Sequence, residues 1–419
     1  MGKHRNQRAI CTTTVLGVVL SFLVGTAHAR TDIKLAHQLE GQHETELQQL
    51  VARFNQGQND VTIQLVKQPA AAKPAVLNLS TRADLIKYLS NPKGYVSVEK
   101  LLTDNKVAFN PKDIAEPLRA SVTVNNQVQA LPLAFTTPLL FWNKDKFRDA
   151  GLDSSKAPKT WEELQDMAGK LVNNNAKCAY TTSWPVWVHI DNVSSWAGAP
   201  TVSGNKLAFN GLIQVRHLAR LTSWAKTDYF TNYGQSNEAD AHFINGECGM
   251  ITTNAEIVSE LQAKKKFDFG VAPLPVIDDN QGAPFNTLAG GAALWVSQGY
   301  SADQVKAAAK FLAYTLTPET QLTIARQGGY MPLTPAAQVG AQGWLLRSDA
   351  AAQDLALENV TKPASASAGT GWISFNPQLR KIVGDEMDAA LHGKKSSKAA
   401  LDSAVSKGQS VYRPLPIRR

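Results

Sequence analysis

The hydrophobic period of this chain switches repeatedly between helical and extended spacing. "HETELQQLVARFNQG" places Leu47, Leu50, Val51 and Phe54 on one helical face, and "VTIQLVK" just after it alternates Val61, Ile63 and Leu65 like a half-buried strand. "PAVLNLS" is then a short apolar strand, "RADLIKYLS" returns to helical spacing, and "SVTVNNQVQALPL" reads as a hairpin turning at Asn125–Asn126. "TPLLFWNKDKFRDAGLD" couples a buried strand to a short helix, and "TWEELQDMAGKL" opens on a capping box, Thr160 with Glu163. "CGMITTN", "FDFGVAPLP" and "TLAGGAALWVS" read as further buried strands, the last weakened by Gly290–Gly291. Two helices follow, capped by Ser301 and Thr317, the second starting on Pro318 and stopping at Gly328–Gly329. This alternation predicts a layered α/β fold with mainly parallel strands. A chain of 419 residues without long linkers or short repeats is expected to form two closely joined lobes.

The N-terminus is set apart by chemistry. Lys3, Arg5 and Arg8 precede the uncharged "AICTTTVLGVVLSFLVGTA", and "AHA" at Ala27–Ala29 has the small-x-small form of a cleavage site. Residues 1–29 are read as a secretory signal peptide, with a single membrane anchor as the competing reading. Its removal takes three basic residues and lowers the net charge from +8 to +5, since 8 − 3 = 5. The remaining basic residues are dispersed, so a nucleic-acid partner is not expected. Cys11 leaves with the leader. Cys178 and Cys248 remain in an oxidising compartment, where one disulfide and two buried thiols both stay open. Their spacing fits no zinc pattern.

No nucleophile elbow, H-E-x-x-H pair, Walker loop or paired C-x-x-C is found. "HQLEGQHE" gathers His37, Glu40, His43 and Glu44, which a solvated loop and helix start explain more simply than a metal. No metal or cofactor is expected. A secreted carbohydrate-active enzyme would need two carboxylates facing each other across a cleft, and only Glu40, Asp191 and Glu256 offer themselves.

"LPLAFTTPLLFWNKDKFRDAGLDSSKAPKTWEELQDMAGKL" resembles the extracytoplasmic solute-binding proteins of ABC importers, the class that includes maltose-binding protein. "FINGECGMITTNA", "GGAALWVSQG", "AAKFLAYTLTPETQ", "GGYMPLTPAA" and "NPQLRKIVGDEM" continue the resemblance in order over nearly the whole mature chain. Within the class, "HQLEG", "CAYTTSWPVWVHIDNVSSW" and "GECGM" are most similar to the glycerol-3-phosphate-binding branch. The resemblance implies a periplasmic, non-catalytic monomer of two α/β lobes that closes over a small solute and is read by a membrane permease. It places the first lobe at 30–136 plus 291–332 and the second at 138–289 plus 335–419. The chain would cross between them near 135–138, 289–292 and 331–335.

Seven segments then match cleft positions: "HQLEG", "AFTTP", "SWPVWVHIDN", "TTNAE", "AGGA", "GGYMP" and "GTGWISFN". They supply Trp184, Trp187, Tyr330, Trp372 and Phe375 as aromatic platforms and Thr136, Thr137 and Asn254 as hydrogen-bonding groups. Gly290 and Gly291 let a ligand approach the backbone, and His37 and Glu40 are titratable candidates. Aromatic faces with amides and hydroxyls suit a sugar or polyol. The phosphate-binding relatives carry an arginine where Trp372 or Ile373 falls, and in the first lobe a tyrosine and a glutamate that "KQPAAAKPAVLNLSTRADL" lacks, Thr81 falling at the glutamate's place. None of the seven segments holds a lysine or arginine, and a buried phosphate without a charged donor is poorly compensated. The expected ligand is therefore a neutral carbohydrate, with glycerol-3-phosphate or a glycerophosphodiester second.

Overall fold

The computed structural model of the chain describes residues 1–2, 30–68, 74–80, 88, 91–277, 282–342, 351–365 and 373–412. Trp372, Thr81, nearly all of the expected leader and most of "RADLIKYLS" lie outside the described residues.

Eleven strands build two sheets among these residues. In chain order they are β1 (Thr31–His37), β2 (Val61–Lys67), β3 (Leu77–Ser80), β4 (Tyr95–Val96), β5 (Leu131–Thr136), β6 (Pro138–Asn143), β7 (Cys178–Thr182), β8 (Phe230–Thr231), β9 (Cys248–Asn254), β10 (Phe269–Ala272) and β11 (Gly290–Ser297). The first sheet has the order β2-β1-β3-β11-β4, with β5 also paired to β11. The second has the order β8-β7-β9-β6-β10. In the first sheet β1 pairs parallel with β2 and β3, while β11 runs antiparallel to β3, β4 and β5. In the second, β7 pairs parallel with β8 and β9, while β6 runs antiparallel to β9 and β10. Each sheet is thus a parallel set with one reversed member. That member is the strand entering from the other sheet: β6 follows β5 after a single residue, Thr137, and β11 is the next sheet strand after β10.

The first core forms around Leu35, Leu77, Trp295, Phe311 and Leu312. The helix Gly41–Gln56 adds Leu47, Leu50, Val51 and Phe54, the stripe its spacing predicts. Each such side chain contributes roughly 1.5–3 kcal/mol on burial. The second sheet is covered on one side by Trp161, Leu164 and Trp224 and on the other by Phe243, Ile244 and Val258. Cys178 and Cys248 are disulfide-bonded, joining neighbouring positions of β7 and β9. The hairpin expected at Asn125–Asn126 forms between Thr123–Val124 and Gln127–Val128, with φ of 52° and 61° at the two asparagines. Asparagine tolerates that left-handed backbone better than most residues, which suits a type I′ turn.

One helix departs from the expected partition. Ala351–Thr361 lies in the span assigned to the second lobe, yet it packs into both cores. Ala352 joins the second-lobe cluster, whereas Ala356 and Val360 join the first. These residues are four apart on one stripe, and their small size lets the helix approach both lobes.

Candidate functional site

A cavity of about 280 Å³ lies where the two lobes face each other. From the first lobe, the helix Gly41–Gln56 presents His43, Glu46, Leu50 and Arg53 to it. Ala134 of β5, Gly291 of β11 and Tyr330 complete that side. The second lobe contributes Trp184, Ser236, Asn254, Glu256 and Arg380. Aliphatic groups, among them Leu39, Leu79, Leu133 and Ile324, floor the first-lobe side.

Two glycines set how closely the backbones meet there. At Gly291, with φ of 146°, a Cβ would stand 1.9 Å from the Ala134 carbonyl oxygen. Gly329 ends its helix at φ of 68°, and a Cβ on it would lie 2.2 Å from the Ala255 carbonyl oxygen of the second lobe. No side chain fits in either gap, so both positions require glycine.

Trp184 occupies the left-handed region with φ of 53°, which is costly for a bulky side chain. Its surroundings hold it there. The Trp184 amide donates to the Ser236 carbonyl at 2.6 Å, and the neighbouring Ser183 hydroxyl donates to Asp240 Oδ1 at 2.7 Å. Thr253, beside Asn254, donates to the same oxygen at 2.8 Å. Asp240 thereby ties together the ends of β7 and β9 that carry two cavity residues. Burial, with smaller contributions from Glu256 and Glu260, outweighs these hydroxyl donations and pushes the Asp240 carboxyl up to about 7.

The charged groups fall into two kinds. His43 lies between carboxylates, its Nδ1 3.3 Å from Glu46 Oε2 and its Nε2 3.4 Å from Glu256 Oε2. Burial alone would lower its pKa. The Glu46 hydrogen bond and the fields of Glu256, Glu46 and Glu260 win, and it rises to about 9. Arg53 and Arg380 are different: among the described residues neither has a carboxylate partner. Arg53 donates to Gln327 Oε1 at 3.3 Å, and the Arg380 guanidinium sits 6.0 Å from the Trp184 ring centroid. Burial lowers the Arg380 pKa, but a guanidinium stays charged through such a shift.

Of the residues expected at the site, Trp184, Asn254, Gly291 and Tyr330 line this cavity, and Gly290 pairs with Thr136 beside it. Thr136 is buried in the crossing, where its hydroxyl accepts the Ala255 N–H at 3.0 Å. Thr137 is also buried, outside the cavity lining. Trp187 is a core residue whose Nε1 donates to the Leu288 carbonyl. His37 is buried at the end of β1, with its pKa lowered mainly by burial, and Glu40 is exposed beside Lys67. Those five therefore stand off the cavity wall, taken up by packing, by backbone bonds or by solvent. Phe375 belongs to the turn Ile373–Phe375, and its side chain, like Trp372, lies outside what the structure describes.

The expectation of a cleft without basic groups is corrected by Arg53 and Arg380. Neither lies in the seven matched segments; both sit on helices, Gly41–Gln56 and Pro377–Leu391. His43, Glu46, Leu50 and Arg53 fall at helical spacing, so polar residues interrupting an apolar stripe were the signal for them.

Residues 49–358 match the model of the bacterial extracellular solute-binding protein family. The chain belongs to this family. The sn-glycerol-3-phosphate-binding periplasmic protein of Pectobacterium atrosepticum is 31% identical, covering 98% of this chain and 97% of the relative. That of Salmonella typhimurium is 32% identical over 96% and 97%. Among solved structures, UgpB from Mycobacterium tuberculosis in complex with glycerophosphocholine superposes with a TM-score of 0.77 at 19% identity, over 91% of this chain and 98% of the other. A maltose-bound protein of T. maritima gives 0.74 at 18%, over 91% and 100%. The fold is therefore the two-lobed binding-protein architecture.

Proposed function

We propose that this solute-binding component of an ABC importer captures a small polyol bearing one phosphate, either glycerol-3-phosphate or a glycerophosphodiester. The observation that carries the reading is the pair of cavity guanidiniums, Arg53 and Arg380, that no carboxylate neutralises among the described residues. Both side chains are only partly buried, and two cations unpaired among the described residues and facing one cavity favour a ligand that supplies an anion. Charge-assisted bonds to a phosphate are worth roughly 1.5–3 kcal/mol each. The curated relatives at 31–32% identity are named for sn-glycerol-3-phosphate, which supports the same class. Trp184 and Asn254 suit the polyol end, by ring packing and by amide hydrogen bonds.

A neutral carbohydrate is the second reading, favoured by the aliphatic and aromatic lining of the cavity. In either case the chain works in the periplasm as a monomer, after removal of residues 1–29, and hands its ligand to the permease without a catalytic step. A thermal-shift series tests the ligand class, because a ligand that binds the native state alone raises the melting temperature. At least one of glycerol-3-phosphate and glycerophosphocholine is expected to raise it, and glycerol is not. A rise with maltose alone would move the assignment to the second reading.

A further inference from the structure

His43 does more than line the cavity, because its two ring nitrogens reach both lobes. It stands on the first-lobe helix Gly41–Gln56, with Glu46 one turn on, and its Nε2 faces Glu256 at the start of the second-lobe helix Ile257–Lys264. The Tyr330 hydroxyl lies 3.2 Å from Nδ1. A neutral imidazole has one N–H, so it can donate to one carboxylate only and turns a lone pair toward the other. The imidazolium donates to both. We infer that His43 is a positioning residue for lobe closure: its imidazolium bridges Glu46 of the first lobe to Glu256 of the second, so that closing the cleft takes up a proton. This rests on the lobe-closure reading above and adds a proton to it.

The surrounding charges fit. Glu46 faces His43 from its own helix, and Glu256 and Glu260 face it from the second lobe. Burial, reinforced by Glu256 and Glu46, holds Tyr330 well above its ordinary range and therefore neutral. Arg53 and Arg380 line the same cavity. Opening withdraws Glu256 and Glu260 while Glu46 stays beside the ring on its own helix, so the histidine loses the second-lobe share of the field that holds it at about 9 in the closed form. The sign follows. The bridge to Glu256 needs the imidazolium, so it supports closure while His43 is protonated and is lost as pH rises through about 9.

A fluorescent donor and acceptor, one on the outer surface of each lobe, read the interlobe distance without any ligand. Followed from about pH 6 to about pH 10, the wild-type distance is expected to lengthen as pH climbs toward 9, with the His43 ring resonance titrating over the same range. His43→Leu and the isosteric Glu256→Gln are expected to abolish that pH step, with circular dichroism checking that both variants are folded. A wild-type distance flat across the range, or an unchanged step in folded Glu256→Gln, would overturn the inference. Failure of glycerol-3-phosphate to bind at every pH would count against the proposed ligand and leave this readout intact.

Discussion

Asp191 accepts the backbone N–H of Ser374 at 2.8 Å, across 183 residues of sequence. Its other oxygen accepts the N–H of Ile373 at 3.0 Å. Asp191 belongs to the π-helical turn Val186–Asn192, just after Trp184, and Ser374 to the short turn that leads into the helix Pro377–Leu391 and Arg380. One buried carboxylate therefore holds together the two segments that bring an indole and a guanidinium to the cavity. Of the three carboxylates offered for the rival enzyme reading, Asp191 is engaged with backbone, Glu40 is exposed, and Glu256 lines the cavity with Glu46 and His43.

Asp191→Ala leaves two buried N–H groups without acceptors. Bonds to a charged acceptor are worth roughly 1.5–3 kcal/mol each, so the variant is expected to lose about 3–6 kcal/mol of stability. Urea unfolding with a slope matching the wild type measures it, and a loss below about 1 kcal/mol would contradict the role.

The disulfide closes a loop of 70 residues between β7 and β9. Replacing Cys178 and Cys248 together by serine frees that loop in the unfolded chain, at an expected cost of about 2–5 kcal/mol. The melting temperature of wild type under reducing conditions is expected to fall toward that of the double variant. No response to reductant would mean the bond is not made in the native protein.

Asp240 gives the stability a pH dependence of known sign. Its folded pKa of about 7 stands above the ordinary 3.8, so the folded state holds a proton that the unfolded chain releases between those values. Stability from this group therefore falls as pH rises through that window. Asp240→Asn keeps an acceptor for Ser183 and Thr253 but cannot ionise. Its urea midpoint is expected to fall less steeply than the wild type's across the same window, and parallel curves would show that Asp240 titrates normally.

Most of the fold was legible because strands and helices advertise themselves locally. The alternation in "VTIQLVK", the Asn125–Asn126 turn and the caps at Ser301 and Thr317 all act within a few residues of chain. The site was less legible because its polar groups converge from afar. Arg53 and Arg380 read as ordinary surface positions of two helices until packing turns them toward one cavity. Thr136 and Trp187 show the reverse: a family register put them at a cleft, and local partners, the Ala255 amide and the Leu288 carbonyl, took them up. The double attachment of Ala351–Thr361 was equally hidden, since nothing in its sequence distinguishes one apolar neighbour from another.

The most direct test of the proposed function is calorimetric titration of the mature chain and its Arg380→Ala variant with glycerol-3-phosphate, glycerophosphocholine and maltose. The account predicts that wild type binds one of the two phosphate compounds far more tightly than maltose. Arg380→Ala should weaken that binding roughly 10- to 150-fold, the equivalent of one charge-assisted hydrogen bond. Tight maltose binding that Arg380→Ala leaves untouched, with no heat from either phosphate compound, would contradict it.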